Sequence, residues 1–164
     1  MSRDFPDWVD PVKAAAGRRR FSGTVPVAWL KRLEGLLAGE DGEIAFALSF
    51  GLDDQNQIFV TTRVSGEISL VCQRSLEVYV QPLQSESVVA LVDTAGRAEV
   101  LPENYEPLVY EDGRVRLLDL VEEELLLAMP LAPRKPGTKP VISGSGQDER
   151  AAGPFSELEK LRRN

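Results

Sequence analysis

From Glu43 the chain alternates with a period of two. Ile44, Phe46, Leu48, Phe50 and Leu52 fall on one side of an extended backbone, and Ala45, Ala47, Ser49 and Gly51 on the other. Successive side chains of a strand point to opposite faces, so this run can only be a strand with one buried face. Its small second face predicts a close neighbour there too. Asp53-Asp54-Gln55-Asn56 is a turn signal, and Ile58, Val60, Thr62 and Val64 repeat the alternation. Ser65-Gly66 predicts another turn into 67–73, where Ile68, Leu70 and Cys72 share a face. Strands at 76–83 and 87–92 follow, and Asp112-Gly113 between 107–110 and 114–117 is a hairpin signal. Short turns between consecutive strands describe an antiparallel meander.

The strongest helix signal is 117–130. Leu117, Val121, Leu125 and Ala128 share a face that Leu118 and Leu127 widen, and Pro130 and Pro133 stop the helix. Asp119 with Glu122 reads as a capping box, and Glu122, Glu123 and Glu124 are the outward residues. A helix this apolar must be buried, and it closes the sheet laid down before it. Pro26 opens a second helix with Leu30, Leu33 and Leu37 on one face and Gly39 at its exit. Asp10, Pro11 and Gly17 bracket a shorter helix as cap, first position and stop, and 18–25 reads as a first strand. The expected fold is α+β: an antiparallel sheet, barrel-like if it closes on itself, with two principal helices and a flexible C-terminal tail. One domain spans 1–133, of which 1–9 reads as a mobile arm. A flexible linker of 134–153 precedes a short helix at 154–164 that puts Phe155, Leu158 and Leu161 in line.

The chain has 164 residues, no histidine and one cysteine. Without imidazole the usual neutral-pH base and the commonest metal ligand are missing, and a lone thiol builds neither a disulfide nor a cysteine-rich zinc site. No apolar run approaches a membrane span and no signal peptide opens the chain, so the expected location is cytoplasmic, with no membrane partner. The net charge of −7 is unevenly spread. Residues 1–35 carry +3, residues 36–128 carry −13, and residues 129–164 carry +3. An acidic body with basic ends results.

The ordered set Asp10-Pro11-Val12, Phe21-Ser22-Gly23, Leu70-Val71-Cys72-Gln73-Arg74, Leu101-Pro102-Glu103-Asn104-Tyr105-Glu106-Pro107, Asp119-Leu120-Val121-Glu122-Glu123-Glu124-Leu125, Met129-Pro130 and Pro154-Phe155-Ser156-Glu157-Leu158 resembles the YceD family. These are the large ribosomal RNA subunit accumulation proteins of bacteria and plastids. The resemblance implies a non-enzymatic ribosome-biogenesis factor that supports synthesis, processing or accumulation of large-subunit (23S) ribosomal RNA by binding precursor RNA. Many relatives carry Cys-x-x-Cys where this chain has Cys72-Gln73-Arg74-Ser75, and some carry further cysteines near the domain end. A metal or redox role is therefore not inherited, and no cofactor or metal is expected.

Arg18, Arg19 and Arg20, with Lys31 and Arg32 close in sequence, form the best RNA-binding candidate, because guanidinium forks bind phosphate and a cluster attracts it electrostatically. A solvated charge run is the plain alternative. Arg74 is a further candidate beside an ordinary reading as a turn arginine. Trp8 and Trp29 are candidates for base stacking, against packing at the core's edge. Glu122–Glu124 could hold a cation or a basic protein, although a solvated helix face is the simpler reading. Cys72, in step with Ile68 and Leu70, reads as a small core residue. Phe155, Leu158, Leu161, Arg162 and Arg163 form a partner-docking stripe. The alternative function is an acidic protein-binding module that holds a basic ribosomal protein or assembly factor. A carboxylate hydrolase or nuclease is the weakest reading, because no acidic pair has diagnostic spacing.

Overall fold

The Asp10 carboxylate accepts from the backbone N–H of Lys13 at 3.1 Å, and Pro11 takes the first helical position. This starts α1 (Pro11–Ala16) where capping chemistry expects it. The computed structural model describes residues 5–99, 101, 102 and 105–138. The remaining elements are β1 (Trp8–Val9), β2 (Arg20–Pro26), β3 (Glu43–Leu52), β4 (Ile58–Val71), β5 (Val78–Val92), α2 (Ala95–Ala98), β6 (Glu106–Val109), β7 (Val115–Arg116) and α3 (Leu117–Ala128).

The architecture is α+β, but the sheet is not a barrel. Five strands lie in the order β2-β3-β4-β5-β6, with β2 and β6 as unjoined edges. The first three pairings are antiparallel and β6 joins β5 parallel. Closure would need β2 to reach β6, yet β6 has only four residues, paired to the last four of β5.

Two expected turns are continuous strand instead. β4 runs 14 residues straight through Ser65-Gly66, and β5 runs 15 through the expected break after Leu83. Gly66 is used for close approach: a Cβ there would lie 2.7 Å from the Glu43 carbonyl oxygen and 2.7 Å from Ile44 Cδ1. The second principal helix is absent. Residues after Pro26 form two 3₁₀ turns, Val27–Trp29 and Lys31–Leu33. Leu30 and Leu33 are fully buried as their spacing requires. The backbone, however, is held from outside by Val27 N–H to the Gly42 carbonyl and Ala38 N–H to the Ser69 carbonyl. Those tethers outweigh a weak helix preference.

The Asp112-Gly113 signal makes a real turn, with φ of 53° and 67° and an isolated bridge between Glu111 and Arg114. The chain then leaves the sheet, because β7 pairs with β1, Trp8 opposite Arg116. Phe5 is buried, edge-on to Phe46 at 4.8 Å. From Phe5 onward the expected arm is therefore packed against the body.

One face of the five-stranded sheet is buried under α1, the 3₁₀ turns and α3, by side chains such as Leu48, Val60, Ile68, Leu70 and Leu125. The opposite face is open, which corrects the close neighbour expected there. Ala45 is exposed, and Ala47 and Ser49 are half-exposed. Only Gly51 is covered, by the Phe59 ring. α3 starts three residues earlier than its capping box implies: Arg116 is the cap residue and Asp119 lies in the first turn, 3.5 Å from the Arg116 guanidinium. Glu122 and Glu124 do not face outward. They are 3% and 2% exposed, whereas Leu127 is 53% exposed.

Candidate nucleic-acid interface

Three of the sequence candidates stand together. Gly17 ends α1, Arg18 takes a left-handed φ of 45°, and Arg19 accepts the Phe50 N–H through its carbonyl at 2.9 Å. Arg20 then begins β2 opposite Ser49. Arg18, Arg19 and Arg20 are all exposed, and none joins an ion pair among the described residues. Their guanidiniums are thus available to a ligand.

Arg20 also reaches the open sheet face. There it lines a depression of about 390 Å³ with Ser22, Ser49, Thr61 and Arg63. Arg63 escaped sequence reasoning because it is a single charge in an apolar alternation. Its place between Thr61 and Ser65, on the solvated parity of β4, was the available signal. It donates to both oxygens of Glu86, at 2.6 and 3.1 Å. This pair holds the Glu86 carboxyl below its ordinary range and raises the guanidinium's pKa. Phe59, paired with Gly51, borders the same face one step along the register.

The other candidates lie elsewhere. Lys31 is exposed beside Arg32, whose backbone N–H donates to Glu122 at 3.0 Å and whose guanidinium meets Glu123 at 2.7 Å. Arg32 thereby clamps the 3₁₀ segment to α3. Arg74 is half-buried and donates to the Thr138 carbonyl at 3.3 Å. Trp29 packs partly buried on the core, while Trp8 is 55% exposed. Phe155, Leu158, Leu161, Arg162 and Arg163 lie outside the described residues, as do most of the expected linker and the C-terminal helix.

Glu124 accepts from the hydroxyls of Ser85, at 2.5 Å, and Ser87, a polar latch between α3 and β5. Cys72 is buried, as expected of a core residue. Its Sγ accepts from the Ser75 N–H at 3.4 Å and lies 4.0 Å from the Thr138 hydroxyl. Hydrogen bonding from the Ser75 side chain, then from the backbone of Lys135 and Ser75, lowers the thiol to about 6 against the opposing effect of burial. No three His, Cys, Asp or Glu side chains group to hold a metal among the described residues. No helix among them is long and apolar enough to cross a membrane.

The family model described as large ribosomal RNA subunit accumulation protein YceD matches residues 60–162. The chain belongs to the YceD family. The large ribosomal RNA subunit accumulation protein YceD of Haemophilus influenzae is 35% identical over 130 residues, covering 79% of this chain and 75% of that relative. No solved structure matches. The YceD match takes in β4, β5, the Cys72 loop and α3, whereas Arg18–Arg20 precede it.

Proposed function

We propose that this chain is a non-enzymatic cytoplasmic factor that supports accumulation of large-subunit ribosomal RNA by binding the RNA or its precursor. The role follows what the Haemophilus influenzae relative and the family are named for. The observation that carries RNA contact is the exposed, unpaired run Arg18-Arg19-Arg20 on a chain whose residues 36–128 hold −13. Phosphate is drawn to an edge where three consecutive arginines join no ion pair among the described residues, and the acidic body discourages non-specific coating of RNA. Ser22, Ser49 and Thr61 offer hydroxyls beside Arg20, and the Phe59 ring at the border gives a base a surface to lie on.

The test is the triple variant Arg18→Ala/Arg19→Ala/Arg20→Ala titrated with precursor large-subunit rRNA at several salt concentrations. Each lost phosphate contact should remove about 0.7–0.9 from the slope of log affinity against log salt. The variant should therefore bind more weakly and with a flatter slope by about two units. A folded variant with unchanged affinity and slope removes the assignment.

A further inference from the structure

Where β1 meets β7 and the Asp112-Gly113 turn projects, the surface holds a cleft of about 610 Å³. Trp8 forms one wall, more than half exposed, and Tyr110 lines it as well. Three carboxylates border it: Glu111, Asp112 and Asp119. Two guanidiniums, from Arg114 and Arg116, offset them only in part, and Arg116 is engaged by Asp119 at 3.5 Å. The Tyr110 hydroxyl proton is held more tightly than usual, by burial first and then by the negative charges of Asp93 and Asp10, with Arg97 opposing.

An exposed indole beside carboxylates in a preformed hollow suits a cation. A guanidinium can stack on the ring while its edge donates to carboxylate oxygens, and an ammonium can sit over the ring face. Phosphate would meet net negative charge. We infer that this cleft receives an arginine or lysine side chain presented by a basic segment of a partner protein. The site is independent of the arginine run assigned to RNA, so either assignment can fail alone.

The experiment is a two-dimensional NMR titration of the ¹⁵N-labelled full chain with a Gly-Arg-Gly-Arg-Gly-Arg peptide, and separately with octauridylate. Trp8→Phe assigns which of the two indole N–H signals belongs to Trp8. The peptide should shift that signal together with the amides of 110–116. Glu111→Gln/Asp112→Asn should weaken peptide binding at least about tenfold, and Trp8→Ala by about 2- to 30-fold. Asn suits position 112 because it tolerates the left-handed backbone found there. Arg114→Ala should leave peptide binding unchanged or tighter. The inference is overturned if the peptide leaves the Trp8 signal in place, or if the carboxylate variant binds it undiminished. It is equally overturned if octauridylate shifts the signal instead and Arg114→Ala abolishes that shift.

Discussion

Asp53 shows how much one side chain can organise. Through Oδ1 it accepts the backbone N–H of Gln57 at 2.8 Å and of Gln55 at 2.9 Å, closing the turn between β3 and β4. Through Oδ2 it accepts the Tyr105 hydroxyl at 3.1 Å, tying that turn to the segment before β6. The Gln57 N–H first, then Gln55 and Tyr105, favour the ionised form and lower the carboxyl's pKa against burial. A carboxyl lowered on folding stabilises the fold fully above its unfolded value, about 4, and loses that contribution as pH falls through the lower folded value. Asp53→Asn should therefore melt below the parent chain at pH 7, and the difference should shrink toward zero in acid. Thermal melts from pH 7 down to about pH 2.5 check this. A constant difference across that range would show that charge is not what the turn uses.

At the scale of elements, α3 matters most, and its docking is polar as well as apolar. Leu117, Val121 and Leu125 are buried as their spacing demands. Glu124 is buried with them and satisfied by Ser85 and Ser87, while Glu122 is satisfied by the Arg32 backbone. Hydrogen bonds to a carboxylate are worth about 1.5–3 kcal/mol each, so Ser85→Ala/Ser87→Ala should cost about 3 kcal/mol or more in urea unfolding. Adding Glu124→Leu to that pair should recover much of the loss, because the stranded carboxylate is then gone. If the triple variant is no more stable than the double, the latch is not what holds α3.

This explains which elements the sequence reveals. The face of α3, the Asp10 cap and the alternation of β3 come from local spacing and are legible. Glu122 and Glu124 are not, because their partners lie 90 and 37 or more residues away. Ser65-Gly66 resembles a turn until Ile44 is placed against it, and the second helix loses to two distant backbone tethers. In the candidate site, the arginine run is visible as a run, whereas Arg63 becomes a neighbour of Arg20 only through strand pairing.

At the scale of the whole molecule, the segment after α3 binds the far end of the sheet to the rest. The Pro133 carbonyl accepts the Gln73 N–H at 2.9 Å, Lys135 pairs with Glu77 at 3.0 Å, and Thr138 receives Arg74. The expected linker is thus anchored over its first residues. That same strap lies across Cys72, whose thiol is lowered to about 6 in part by the Lys135 backbone. The sulfur is fully buried, so access to it limits its reaction with a reagent from solution. A chain ending at Thr138 keeps both strap and core, and should melt within a few degrees of the full chain, about the effect of a sub-kilocalorie change. A chain ending at Pro130 loses the strap. Its Cys72 should react with a disulfide reagent such as dithionitrobenzoate at least about tenfold faster, because the opening needed to expose the sulfur then costs less. Stopped-flow absorbance on the three chains, followed from pH 5 to 8, separates the causes. If loss of the Lys135 contact raises the thiol, the Pro130 chain should show both faster reaction at pH 8 and a titration displaced upward. Equal rates for the Thr138 and Pro130 chains would show that the strap does not guard Cys72.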